Sequence, residues 1–299
     1  MRKLLFFSWI FALCLSLSTA VYGIERNDIL NNPLPESPDT LRILGVGNSF
    51  TDDGMMYLPD LLRAAGIENV VLARLYFPGC SLEQHCHFEE EQAKKYIYYK
   101  STANAWTTVS EQATLREALL DERWDVVVVQ QASHFSGQYA TYTPWLNKLI
   151  DIILDYNTNP HLSLAWQMTW AYSTDATHDG FARYGCSQQQ MYDAIADATQ
   201  QMQAKEGIKV LIPSGVAIQN ARKMHIVSQR DMTRDGYHLD LGVGRYTAAC
   251  TWFEALIAPT LGVSVRGNAF RIPCAAIETT PVTDANARRC QRAAVKAVK

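Results

Sequence analysis

Apolar β-type runs alternate with helical patterns along most of the chain. Leu41 to Val46, Asn69 to Leu75, Asp125 to Gln130, His161 to Gln167 and Ile208 to Ile212 predict five strands. Such runs suit strands covered on both faces, as in a parallel sheet. Leu58, Leu61, Leu62 and Ala65 share one helical face, with Pro59 in the opening turn, where its missing N–H does no harm. Further helices are predicted over Glu111 to Leu120, Pro144 to Tyr156, Ser187 to Lys205 and Leu241 to Ile257. Regular alternation of the two element types implies the α/β class, as a three-layer α/β/α sandwich around a parallel five-stranded sheet. No internal repeat or low-complexity linker divides the middle, so a single domain is expected over residues 41–280, after a Pro-containing lead at 21–40 and before a basic helix or tail at 281–299.

Two polar segments interrupt the rhythm. Cys80 to Ser110 is long, aromatic and charged, and Ala171 to Cys186 is rich in Tyr, Thr, Asp, His and Gly. Ligands of open α/β sheets bind beyond the carboxyl ends of the strands, so these loops are candidates for a substrate-facing rim.

At 299 residues and 48% apolar, the chain has ample material for a core. Its start carries Arg2 and Lys3, an apolar stretch from Leu4 to Leu17, and the small residues Ser18-Thr19-Ala20. This is the pattern of a cleaved secretion signal over residues 1–20, and the run is shorter than the roughly 20 apolar residues of a membrane span. Cys14 follows Leu13 rather than a small residue, which disfavours lipidation. Cleavage removes Arg2 and Lys3 and no acid, leaving 25 basic against 30 acidic residues, a net charge of −5. A net acidic chain without a basic stripe is not expected to bind nucleic acid. The basic residues Arg288, Arg289, Arg292, Lys296 and Lys299 are interleaved with Ala and Val at the spacing of a solvated terminal helix. Cys80, Cys86, Cys186, Cys250, Cys274 and Cys290 remain, and export would permit disulfides among them.

The chemistry centres on Gly47-Asn48-Ser49-Phe50, which ends the first strand. Small residues there allow a tight strand-to-helix turn that presents Ser49. A lone serine would equally serve as a helix cap, and a nucleophile needs a base. Asp235-Gly236-Tyr237-His238 supplies one: at this spacing the carboxylate can accept from one imidazole nitrogen while the other faces Ser49. A second Asp-x-x-His, Asp175 and His178, lies in the mid-chain insertion; the later pair, before the closing helix, is the better candidate. Oxyanion donors are expected from the amides of Ser49 and Gly79, and from Gln130 or Gln131 at the end of the third strand. Gln130 is favoured, since neighbours on a strand point to opposite sides.

Gly-x-Ser after strand one, Gly79-Cys80-Ser81-Leu82 after strand two, an amide side chain after strand three, and Asp235-Gly236-Tyr237-His238-Leu239 followed by Gly244-Arg245-Tyr246 resemble the SGNH (GDSL-like) hydrolases, in a bacterial branch. The likeness runs from about Leu41 to Leu261. It implies a flavodoxin-like strand order, no cofactor, and hydrolysis of small-molecule or glycan esters, commonly deacetylation of glycans in exported members. It assigns Ser49 as nucleophile, His238 as base, Asp235 as its orienter and Gly79 as oxyanion donor. Asn48 stands where these hydrolases usually carry Asp, and Gln130-Gln131 replaces the usual Gly-x-Asn. A glycan-binding protein without catalysis, or an acyltransferase using the same serine, are the alternatives on one fold.

Several clusters suggest other roles. Cys80, His85, Cys86 and His87 are of zinc-ligand type, but adjacent Cys86 and His87 do not readily chelate together, so no metal is expected. Tyr96, Tyr98, Tyr99 and Trp106 read as a loop core or a sugar-stacking platform, and Trp166, Trp170 and Tyr172 as core before rim.

Overall fold

A computed structural model describes residues 25–102, 105–224, 226, 229–273 and 279–299. The expected signal at residues 1–20 and Cys274 lie outside them. The sheet contains β1 (Leu41–Gly47), β2 (Val70–Tyr76), β3 (Tyr96–Ser101), β4 (Thr107–Ala113), β5 (Val126–Val129), β6 (Ser163–Gln167) and β7 (Val210–Ile212), in the order β4-β3-β2-β1-β5-β6-β7. The five strands β2-β1-β5-β6-β7 are parallel, in flavodoxin-like order. These are the five strands anticipated from the apolar runs.

The sheet has seven strands rather than five because the Cys80–Ser110 insertion adds an antiparallel hairpin, β3 and β4, to the β2 edge. Arg74 on β2 fixes the hairpin, its guanidinium lying 4.4 Å from the Tyr99 ring centre and 4.5 Å from that of Trp106. Tyr96 and Tyr98 are buried, their hydroxyls bonded to His85 and Asp121. These four aromatics therefore hold the insertion together rather than forming a stacking platform. The helix expected over Glu111–Leu120 is a strand end followed by a shorter helix, because Thr114 caps it with Glu117 completing the capping box.

The helices are α1 (Arg26–Asn31), α2 (Ser49–Met55), α3 (Leu58–Ala64), α4 (Leu82–Glu90), α5 (Leu115–Leu120), α6 (Trp145–Tyr156), α7 (Gln188–Glu206), α8 (Ser214–Arg222), α9 (Val243–Trp252), α10 (Ala258–Leu261) and α11 (Asp284–Val298). A π turn over Phe253–Ile257 joins α9 to α10. One layer comprises α2, α3, α8, α9 and α11; α1, α4, α5 and α6 pack together in the other, with α7 on the turn leading into α6. The Ala and Val face of α11 is buried against α8 and α9, and its arginines face solvent. Among the described residues no helix is long and apolar enough to cross a membrane.

β1 is the pivot of this arrangement. The chain proceeds to β2 on one side and later to β5 on the other, and this switch opens a crevice at the carboxyl ends of β1 and β5. Gly47 lets α2 close tightly onto β1, since a Cβ there would lie 2.1 Å from Thr51 Oγ1.

Candidate active site

Three loops meet at the crevice. Asn48, the buried cap of α2, holds them together: its Oδ1 accepts from Phe50 N at 2.9 Å and Gln130 Nε2 at 2.7 Å, and its Nδ2 donates to Cys80 O at 2.9 Å. A carboxylate could not make the last of these bonds, which gives Asn a physical reason at this position. Ser49 follows at the first helical position.

Its hydroxyl lies 2.8 Å from His238 Nε2, and His238 Nδ1 lies 2.6 Å from Asp235 Oδ2. The other carboxylate oxygen of Asp235 accepts from the amides of Tyr237, at 3.1 Å, and His238, at 2.8 Å. Burial opposes the charge on Asp235, but the His238 imidazole and these two amides outweigh it and hold the carboxyl down at about 2. The His238 side chain is 20% exposed, so the site is open to a ligand.

Gly79 adopts the left-handed conformation, φ +64°, which glycine tolerates without strain. Among the described residues, neither its amide nor that of Ser49 donates a hydrogen bond within the protein. Gln130 gives one N–H to Asn48, and its buried Oε1 has no hydrogen-bond partner among the described residues. Gln131 departs from the expected oxyanion set: Nε2 donates to Thr141 O and Oγ1 at 3.1 and 3.2 Å, and Oε1 accepts from Leu82 N and Ala132 N. Both of its N–H groups are engaged in bracing loops.

Beneath the serine, the sequence reading missed a buried charge network. Asp53 is fully buried on α2, where Oδ1 accepts from Arg245 Nε at 2.7 Å and Arg234 Nη1 at 3.1 Å, and Oδ2 accepts from Leu239 N at 2.8 Å. Asp52 pairs with Arg74. The helix that carries Ser49 is thereby tied to both sides of the His238 loop. The available signal was an acidic pair in the short segment after Ser49, with arginines flanking Asp235–His238. Phe50 stacks on Trp170 at 4.3 Å, and Trp170 Nε1 donates to Tyr237 O at 2.8 Å, so these core aromatics also support the loop.

The zinc-type cluster is engaged in packing. His85 Nδ1 is 2.8 Å from Tyr96 OH, Cys86 Sγ contacts Trp145 O, and His87 pairs with Glu90 on the surface. Cys80, Cys86, Cys186, Cys250 and Cys290 are free thiols. Asp175 bonds Ser173 and Arg230 rather than His178, whose Nδ1 accepts from Gly180 N at 2.9 Å.

Among curated proteins, none matches the chain. It is similar to the crystal structure of a DUF4886 family protein from Bacteroides uniformis, at 40% identity over 87% of this chain and 95% of that one, with a TM-score of 0.78. More distant likenesses are a candidate SGNH hydrolase from Slackia heliotrinireducens (21% identity, 72% of this chain and 98% of that one, TM-score 0.48) and Axe2, an acetylxylan esterase from Geobacillus stearothermophilus (11% identity, 75% and 95%, TM-score 0.45). The model of the domain of unknown function DUF4886 matches residues 42–290, so the chain belongs to the DUF4886 family.

Proposed function

We propose that this protein is an exported serine esterase of the SGNH type that releases small acyl groups, acetyl foremost, from a carbohydrate or related hydroxylated substrate. The observation that carries the reading is the continuous relay Ser49 Oγ, His238 Nε2, His238 Nδ1, Asp235 Oδ2, with bonds of 2.8 and 2.6 Å. Nucleophile, base and orienter stand at bonding distance without any rearrangement.

In the proposed reaction, His238 Nε2 takes the Ser49 proton as Oγ bonds to the ester carbon. Charge on the carbonyl oxygen is met by the amides of Ser49 and Gly79 and by the remaining N–H of Gln130. The bond to the alkoxy oxygen breaks, and that oxygen leaves as alcohol with the proton from His238. Water then attacks the acyl-serine, giving its proton to His238, and the carboxylic acid departs as Oγ recovers a proton. Asp235, held ionised by the two amides and the imidazole, keeps His238 in the tautomer that presents a lone pair to Ser49.

Turnover of nitrophenyl acetate tests the reading. Ser49→Ala is expected to lower kcat by at least about 10⁴-fold. Equal turnover in wild type and the variant would refute the mechanism.

A further inference from the structure

Arg26, Arg42, Arg63, Arg230 and Arg271 each hold a carboxylate. Arg266, Arg288, Arg289, Arg292 and Lys296 do not. All five are exposed, and among the described residues none of them is in an ion pair. Four lie on α11, where 3.6 residues per turn sets Arg288, Arg289, Arg292 and Lys296 within an arc of about 100° and a length of about 12 Å. Arg288 with Arg292, and Arg292 with Lys296, are like-charge neighbours one turn apart, which repel. Of the four only Lys296, in the last turn, gains from the helix dipole. The one acid of α11, Asp284, is taken by Arg271. In a chain of formal net charge −3, this is a cationic patch whose charge the described residues do not neutralise.

The fifth cation is held beside the helix by a buried brace. Gln291, 3% exposed, accepts from Gly267 N at 3.0 Å and donates through Nε2 to Tyr246 OH at 2.8 Å and Asn268 O at 3.1 Å. Glu254, the acid nearest this turn, is engaged within it by Ser264 Oγ and Val265 N. Arg266 thereby meets Arg288 and Arg292 around a concavity of about 190 Å³, and a second, of about 200 Å³, opens among Arg288, Arg289 and Arg292. Guanidinium forks match the oxygens of a phosphate in pairs. No ring or large apolar side chain lines either concavity.

We infer that this patch docks the protein on an anionic phospholipid surface, with lipid phosphates seated between the arginines. Docking of this kind is independent of the esterase reading. The α11 cations stand on one outer helix face and Arg266 broadens their row into a patch, so they can meet a plane of charge together. A linear polyanion is matched by a single row, and a nucleic acid or a glycan calls for rings to stack on, which the patch lacks. The apolar face of α11 is already buried against α8 and α9, so the contact is electrostatic and nothing is inserted. Each cation near such a surface raises partitioning by roughly fivefold, and salt screens the attraction.

The test is sedimentation of the full chain with vesicles of phosphatidylcholine alone or of phosphatidylcholine mixed with phosphatidylglycerol. Retention on the mixed vesicles beyond that on the neutral ones is expected at about 0.1 M salt, and its loss at about 1 M, where the screening length falls from about 10 Å to about 3 Å. An apolar leader would bind both vesicles alike, so their difference reads the patch. Arg266→Gln with Arg288→Gln and Arg292→Gln should lower that difference on the order of 100-fold, and Arg289→Gln with Lys296→Gln about 20-fold. Lys94→Gln with Arg123→Gln and Lys209→Gln removes the same charge from exposed positions elsewhere and should change it by less than about threefold. All three variants should unfold at the wild-type urea concentration, as exposed substitutions do. Equal retention on both vesicles, patch variants that bind as the wild type does, or a control variant that loses as much overturns the docking surface. Capture of soluble polyphosphate at the patch without retention on the mixed vesicles overturns it as well, in favour of a soluble polyanion.

Discussion

Asp235 and His238 stand at the same spacing as Asp175 and His178, and the two loops touch. Gly236 O accepts from Ser173 N at 2.8 Å, and a Cβ on Gly236 would lie 2.9 Å from Ala176 Cα. Only the later pair forms a relay. In it, one carboxylate oxygen is engaged by two amides of its own turn, which aims the other at Nδ1. In the earlier pair, Ser173 and Arg230 take the carboxylate outward and Gly180 N takes the imidazole Nδ1. Two residue types at a fixed separation define a possibility, and the partners around them determine whether a proton can pass.

The sharpest way to break this comparison is to remove each histidine. His238→Ala should reduce turnover of nitrophenyl acetate by about 10⁴-fold or more, whereas His178→Ala should change it by less than about threefold. Comparable losses in steady-state kcat would erase the distinction. The acids follow: Asp235→Asn should cost on the order of 10³- to 10⁴-fold in kcat, by analogy with the buried aspartate of serine proteases, while Asp175→Asn should leave kcat within about twofold. Loss of an oxyanion donor is milder, so Gln130→Ala should cost about 10²- to 10³-fold, and Gln131→Ala should act through folding stability rather than kcat.

Stability sharpens the contrast further. Asp53→Ala leaves Arg234 and Arg245 without their buried carboxylate partner and should cost about 3–5 kcal/mol in urea unfolding. The exposed ion pair of Asp175 with Arg230 is worth at most about 1 kcal/mol. The smallest effect is a pH dependence. The Asp235 carboxyl is held at about 2 against an ordinary 3.8, so its contribution to stability is present above the ordinary value and lost as pH falls through about 2. The stability difference between wild type and Asp235→Asn should shrink as pH falls from about 4 towards 2.

The legible parts were those decided locally. Val126–Val129 and Leu41–Gly47 are apolar almost throughout, which only strands covered on both faces require. The β3–β4 hairpin was not legible, because Thr107–Ala113 is polar and largely exposed at the sheet edge and owes its conformation to pairing and to Arg74 between Tyr99 and Trp106. α8 was missed because its short run follows β7 directly and buries small residues such as Gly215 and Ala217. At the site, Ser49, His238 and Asp235 were named as candidates from their order along the chain. Asp53, Arg234 and Arg245 were not, since each looks like an ordinary surface charge until burial brings them together.

By itself the sequence determined a doubly covered parallel sheet, a serine placed on a glycine-flanked turn after its first strand, and two loops able to pair a carboxylate with an imidazole. Tertiary structure alone decided which of those loops reaches Ser49, which lies 189 residues from His238. The reason is that proximity over such a separation comes from no local preference. It comes from the strand reversal around β1, which opens the crevice, and from buried charges on α2 that must be matched by arginines flanking the histidine loop.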